Sequence, residues 1–275
     1  MTHGNWLQTA TLKLNRTSTK SARLDALLIL EKVTSFSRTR VLAYPEKGLS
    51  DTTLNKLNKM LEKRLNGEPM AYILSNKEFY GRDFFVNKNV LIPRPESETI
   101  ISLLKKYLAP NSRVQPVKVN KLVDVGTGSG CLAITAKLEL PELDVEACDI
   151  LKKAIEIAKK NAKHLQANIN FFESNLLENS THGYDIILAN LPYVPDNLVV
   201  SSDVKAEPKL AVFSGVDGLY LMEKFLAQLE NKLAVGGLVF IECLEMQHPS
   251  VTKLAEEKGL KLLETENLIQ IFIRM

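Results

Sequence analysis

Val123-Asp124-Val125-Gly126-Thr127-Gly128-Ser129-Gly130 is a short strand-like run that breaks into three alternating glycines. The run reads as a buried parallel strand, the glycines as the turn after it, and 131–138 as a helix. Strand, glycine turn and helix in succession open an α/β sheet, whose ligands lie beyond the carboxyl ends of its strands. Glycine makes the turn tight and lets a ligand rest against bare backbone. The spacing then narrows the ligand. A dinucleotide fingerprint requires G-x-G-x-x-G/A, but here the third glycine falls one place early and Cys131 stands where it should be. A P-loop is excluded because no Gly-Lys-Ser/Thr follows. Asp149 falls 19 residues past Gly130, at the end of the second expected strand, where a carboxylate accepts both hydroxyls of a ribose. A ligand with a ribose and no pyrophosphate fits this set, and S-adenosylmethionine is the common one.

Outward from the loop the chain alternates. Further strands are expected at 145–148, 169–172, 185–189 and 238–242, helices at 151–164, 219–233 and 251–258, and two closing strands at 260–264 and 268–273. This alternation predicts a doubly wound, Rossmann-like α/β sheet with strand order 3-2-1-4-5. In that order the first and fourth strands are neighbours. The fourth, an apolar run from Tyr184 to Ala189, ends in Asn190-Leu191-Pro192-Tyr193, so the tetrapeptide faces the same crevice as the glycines. An amide side chain followed by a turn offers carbonyl oxygens that accept both hydrogens of a planar –NH2 group, and an aromatic ring beside them can stack on it. On its own the tetrapeptide reads equally as a strand stopped by ordinary turn residues.

Before the sheet, 1–75 is expected to form a helical bundle. Leu24, Leu27 and Leu28, then Leu54, Leu57, Met60, Leu61 and Leu65, recur at helical spacing, with a helix start at Ser50 and a stop at Gly67-Glu68-Pro69. Residues 76–98 read as a β-hairpin-like linker, with strand character at 78–86, a turn at 87–89 and a stiff Pro93-Arg94-Pro95 approach to a helix over 97–108. Residues 99–275 are expected to form the third unit, which contains the sheet. Charge divides along the chain: residues 1–120 hold 20 Lys and Arg against 10 Asp and Glu, and the remainder holds 15 against 22. A basic first half suits docking on an acidic partner, and equally a Lys-rich helical surface in water. No charged and apolar leader opens the chain, and no apolar run is long enough to span a membrane. Cys131, Cys148 and Cys243 are odd in number and widely spaced, which fits free thiols in a reducing cytoplasm and neither a disulfide framework nor a metal knuckle.

Several stretches together carry a family. They are Gly67-Glu68-Pro69-Met70-Ala71-Tyr72-Ile73-Leu74, Glu78-Phe79-Tyr80-Gly81, Leu91-Ile92-Pro93-Arg94-Pro95-Glu96-Ser97-Glu98, the loop from Asp124 to Gly130, Asn190-Leu191-Pro192-Tyr193, Glu207-Pro208, Asp217-Gly218-Leu219, and Glu242 with Gln247. From about Arg23 to its end the chain resembles the HemK/PrmC family of protein N5-glutamine methyltransferases. That family uses S-adenosylmethionine to methylate the glutamine of the Gly-Gly-Gln motif in class 1 peptide chain release factors. The resemblance implies that Gly126, Thr127, Gly128, Ser129 and Gly130 lie under the methionine part of the cofactor and that Asp149 binds its ribose. It implies that Asn175 and Leu176 flank the adenine. Asn190, also beside the cofactor, would hold the substrate glutamine together with Leu191, Pro192 and Tyr193, with Asn190, Pro192 and Tyr193 carrying the catalysis. The bundle would dock the substrate protein. Three residues depart from the family pattern: Leu191 replaces a proline, Asn175 an aspartate and Leu244 a glycine.

An amide nitrogen is a weak nucleophile because its lone pair is shared with the carbonyl. The expected chemistry is therefore positional. The Asn190 oxygen and a turn carbonyl accept the –NH2 hydrogens and hold the nitrogen in line with the methyl group, with no metal and no strong base. The rival is a nucleic-acid adenine N6-methyltransferase, since Asn-Leu-Pro-Tyr also occurs in ribosomal RNA adenine methyltransferases. The acidic second half argues against RNA. A cofactor fold retained only for binding is a third possibility, against which the joint presence of the loop, Asp149 and Asn190 speaks.

Overall fold

The structure is a computed structural model that describes residues 1–17, 19–110, 120–181 and 183–275. It divides into two compact units, one of Met1–Ser75 with Ser201–Ala206, the other of Asn76–Val200 with Glu207–Met275. Among the described residues no helix is long and apolar enough to cross a membrane.

The first unit is helical: α1 (His3–Leu14), α2 (Ala22–Thr34), α3 (Arg38–Ala43), α4 (Asp51–Leu65) and α5 (Met70–Leu74). Ser50 caps α4 as expected, its hydroxyl accepting from Thr53 N, and Thr2 and Ser37 cap α1 and α3 in the same way. The first helix was not expected from sequence. Its buried face, Trp6, Leu7, Ala10 and Leu14, is interrupted by threonine and asparagine, so the helical period is faint until Ala22, Leu27, Leu30 and Leu57 pack against it. One charge lies deep in this unit. Arg64, 6% exposed, donates from Nε to Asp25 Oδ2 at 2.7 Å and from Nη1 to Asp203 Oδ1 at 2.8 Å. Asp203 sits in the short helical turn Ser202–Lys205.

The second unit opens with a hairpin, β1 (Lys77–Phe79) and β2 (Arg82–Phe84), turned by Tyr80 and Gly81, both at positive φ. Two left-handed residues in succession give the turn whose twist matches that of paired strands. Phe79 and Phe84 meet edge to face beneath it. A 3-10 turn, Pro95–Ser97, then leads into α6 (Glu98–Leu108).

The sheet follows: β3 (Lys121–Val125), α7 (Cys131–Glu139), β4 (Asp144–Asp149), α8 (Lys152–Leu165), β5 (Asn170–Glu173), β6 (Tyr184–Ala189), β7 (Leu233–Glu242), β8 (Leu260–Glu266) and β9 (Ile269–Arg274). Its order is β5-β4-β3-β6-β7-β9-β8, the doubly wound arrangement expected, with β9 antiparallel to both its neighbours. Alternate residues serve opposite faces. Ile186, Leu188, Leu238 and Phe240 join Phe79, Phe84 and Ile100 on one side; Ile187, Ala189, Val239 and Ile241 join Met222 and Phe225 on the other. Cover on both faces is why these strands are uniformly apolar.

One boundary moved. The helix expected over 219–233 ends at Gln228, a 3-10 turn occupies Leu229–Asn231, and β7 begins at Leu233 rather than 238. The β6 pairing jumps there from Tyr184↔Leu233 to Ile186↔Leu238, around Gly236 and Gly237. A bulge absorbs the glycines that hide the strand's start. The three cysteines are free thiols, Cys148 and Cys243 buried.

Candidate active site

The glycine loop is held from below. Gly126 N and Thr127 N both donate to Cys148 O at 2.9 Å, tying the end of β3 to β4. Asp124, 1% exposed, accepts from Thr127 Oγ1 at 2.6 Å and from Ala133 N at 3.2 Å, so it clasps both ends of the loop. Burial pushes its carboxyl up to about 6, against the pull of those two donors. Gly130, at φ +81°, has a packing role: a Cβ there would press on Ile134 and Ala158, where α7 meets α8.

Above the loop lies a cleft, open to solvent, at the carboxyl ends of β3, β4 and β6. The expected residues Gly126, Gly128, Asp149, Asn175, Leu176, Asn190, Leu191 and Pro192 all line it. Thr127 and Ser129 line a smaller adjoining recess, together with Asn190, Arg94 and Ser97. Asp149 accepts from Gly128 N and Leu151 N, both at 2.9 Å, and its carboxyl is raised by burial. The two donors leave lone pairs on each oxygen for a diol. Asn175 donates its Nδ2 to Glu178 Oε1 at 2.7 Å. Leu176 is held in the left-handed region at φ +53°, with its carbonyl accepting from the Cys148 thiol.

The Asn190 turn is the best-anchored part. Asn190 Nδ2 donates to Ser97 Oγ at 2.8 Å and to Glu242 Oε2 at 3.0 Å. Tyr193 OH donates to Glu242 Oε1 at 2.8 Å. Glu242 is fully buried; burial raises its carboxyl, while Ser97, Tyr193 and Asn190 counter as donors. Burial and the adjacent carboxylate push the Tyr193 phenol upward, so it stays protonated. Gln247 Nε2 binds Tyr193 O at 2.8 Å and Asp217 O at 2.9 Å, while its Oε1 accepts from Leu244 N. The Leu191 side chain lies over Gly126, 3.1 Å from where a Cβ would be, so the residue that replaces a proline ties the turn to the glycine loop by packing. Leu244 has φ −66°, a backbone any residue adopts, so the missing glycine is tolerated there.

Glu207 explains the Pro93–Glu96 stretch. One carboxylate oxygen accepts from Ile92 N at 2.9 Å and the other pairs with Arg94, fixing the segment that delivers Ser97 to Asn190. Asp124, Ser97, Glu207, Glu242 and Gln247 were not expected as site residues. Each falls in a stretch that carries the family resemblance, but nothing local in the sequence says that they meet: strand register and the Glu207-anchored segment bring them together.

Residues 5–74 match the family model of the PrmC N-terminal domain, and 102–207 that of the methyltransferase small domain. A release factor glutamine methyltransferase of Neisseria gonorrhoeae is 35% identical over 250 residues, covering 89% of each chain. One of Koribacter versatilis is 38% identical over 234 residues, covering 83% of this chain and 81% of that one. The chain belongs to the release factor glutamine methyltransferase family. At the level of fold alone, the family's sheet is shared with a T. thermophilus 16S rRNA N2 G1207 methyltransferase solved with AdoMet and guanosine, at TM-score 0.53 and 16% identity over 73% of this chain and 50% of that one. The relatives match through both the helical and the sheet regions, which weighs against the nucleic-acid alternative.

Proposed function

We propose that this protein transfers a methyl group from S-adenosylmethionine to the side-chain nitrogen of a release factor glutamine, that of the Gly-Gly-Gln motif in class 1 factors. The observation that carries the proposal is the state of the Asn190 amide. Both hydrogens of Nδ2 face acceptors of the protein, so the oxygen is the end left for a substrate –NH2 group. Tyr193 O is taken by Gln247, and the carbonyls of Leu191 and Pro192 remain as the turn's open acceptors among the described residues.

The cleft suits the donor. It is mostly apolar, with a carboxylate at Asp149 for the ribose hydroxyls, bare glycine backbone at Gly126 and Gly128 for the methionine part, and Asn175 and Leu176 for the adenine edge. Thr127, Ser129 and Gly130 act by shaping and anchoring that backbone. When bound, S-adenosylmethionine supplies an electrophilic methyl group on a sulfonium. The protein's part is positional. Asn190 Oδ1 and a turn carbonyl hold the amide nitrogen by its two hydrogens, and Tyr193 walls or stacks on the planar amide. Such positioning lowers a barrier by roughly 7–11 kcal/mol at best. The same acceptors favour the positive charge that develops on nitrogen. The helical unit, basic in balance, is the docking surface for the release factor, and the reaction belongs to the cytoplasm where translation ends.

Incubation with labelled S-adenosylmethionine tests the scheme. Label is expected on a release factor carrying Gly-Gly-Gln and not on its Gln→Ala variant, and Asn190→Ala should abolish uptake. Label on unmodified ribosomal RNA with none on the release factor would overturn the proposal.

A further inference from the structure

Building on the glutamine reading above, we propose that Glu242 is the positioning residue that decides which end of the Asn190 amide faces the cleft, and so makes the site select a carboxamide over a carboxylate. An asparagine amide is nearly symmetric in shape. Turning it by half a rotation exchanges an acceptor for a donor with almost no steric penalty, so packing alone cannot choose. The choice has to be chemical.

Two groups meet Asn190 Nδ2, and they differ in kind. The Ser97 hydroxyl both donates and accepts, and by itself would satisfy either sense. The Glu242 carboxylate, on which Asn190, Tyr193 and Ser97 all donate, has in its ionised form nothing to give back and only accepts. Strand register places it: Ala189 pairs with Ile241 across β6 and β7, so Asn190 and Glu242 follow side by side at the strand ends. Glu242 is 0% exposed, and its other oxygen already receives the Tyr193 hydroxyl. The Ser97 hydroxyl also bonds to Glu242, which leaves its lone pairs for Asn190. Reversing the amide would set Oδ1 against a buried carboxylate oxygen, where lost bonds are not replaced by water. Only one sense survives, with Oδ1 toward the cleft. A glutamine brings two hydrogens to that oxygen. A glutamate carboxylate brings none, and meets oxygen with oxygen.

The test uses the full chain as wild type, Glu242→Gln and Ser97→Ala. Two quantities are read: methyl transfer to a release factor, and binding of that factor against the same factor with glutamate at the acceptor position. In the Glu242→Gln variant the new side chain can offer an –NH2 group to Asn190, letting the amide turn. Glu242→Gln should then lower kcat on the order of 100-fold, with S-adenosylmethionine binding retained. The preference for the glutamine form should fall about tenfold. An unmoved preference overturns the proposal whether kcat falls or not, because a merely structural role would leave the glutamine–glutamate ratio alone. If Glu242→Gln no longer binds S-adenosylmethionine, Ser97→Ala decides: Glu242 then holds Nδ2 without the hydroxyl, so a retained preference supports the proposal, and a preference that falls about tenfold makes Ser97 the selecting group and overturns it. A wild-type protein that transfers nothing to glutamine defeats the underlying reading as well, a failure distinct from an unmoved preference in an active enzyme.

Discussion

Gly218 lies directly against Tyr193: a Cβ at position 218 would overlap the Tyr193 carbonyl oxygen and come within 2.6 Å of Gln247 Nε2. Its φ of +78° is also one that side chains other than hydrogen rarely adopt. Gly218→Ala therefore has to displace the Asn190 turn from behind. The expected outcome is a kcat lower on the order of 100-fold, as for small misplacements of reacting groups, with donor binding retained. Steady-state kinetics with calorimetric titration of S-adenosylmethionine checks the split.

Glu207 holds Ile92 N and Arg94 at once, and Ser97 follows in the same segment. Glu207→Ala leaves a buried N–H and a cation without their partner, a loss of roughly 1–3 kcal/mol. Amide hydrogen exchange at Ile92 should quicken and methyl transfer should fall. Unchanged exchange at Ile92 would contradict the anchoring role.

Asp124 makes stability fall with pH. Its folded-state value is raised from 3.8 to about 6 by burial. The folded protein therefore holds a proton that the unfolded chain has released between those two values. The contribution is fully present below 3.8 and is lost as pH rises through about 6, a total of about 3 kcal/mol at 1.36 kcal/mol per unit. Asp124→Asn does not titrate. Denaturant unfolding at pH 4 and pH 7 should show the wild type losing stability relative to that variant over the interval.

In the helical unit, Asp25→Ala removes one of the two carboxylates around Arg64. A buried cation left short of a partner costs roughly 3–5 kcal/mol. Thermal unfolding should show a large drop, and Arg64→Lys should not rescue Asp25→Ala, because an ammonium lacks the planar fork that reaches both Asp25 and Asp203.

Much of this molecule was legible because its signals are local. A strand, three glycines and a helix are contiguous, and Asp149 and Asn190 each sit one residue past or at the end of an apolar run. The first helix was hidden, since its face is only completed by residues from α2 and α4. The start of β7 was hidden by a glycine bulge whose pairing with β6 no local pattern announces.

The amino-acid sequence by itself determined the sheet, the cofactor cleft and the presence of an amide at the end of β6, because periodicity and turn chemistry act over a few neighbouring residues. It could not determine which way that amide points. Ser97 and Glu242 lie 93 and 52 positions from Asn190 and reach it only when the strand register and the Glu207-anchored segment bring them together. A hydrogen bond depends on distances of tenths of an ångström, and only the folded chain sets those.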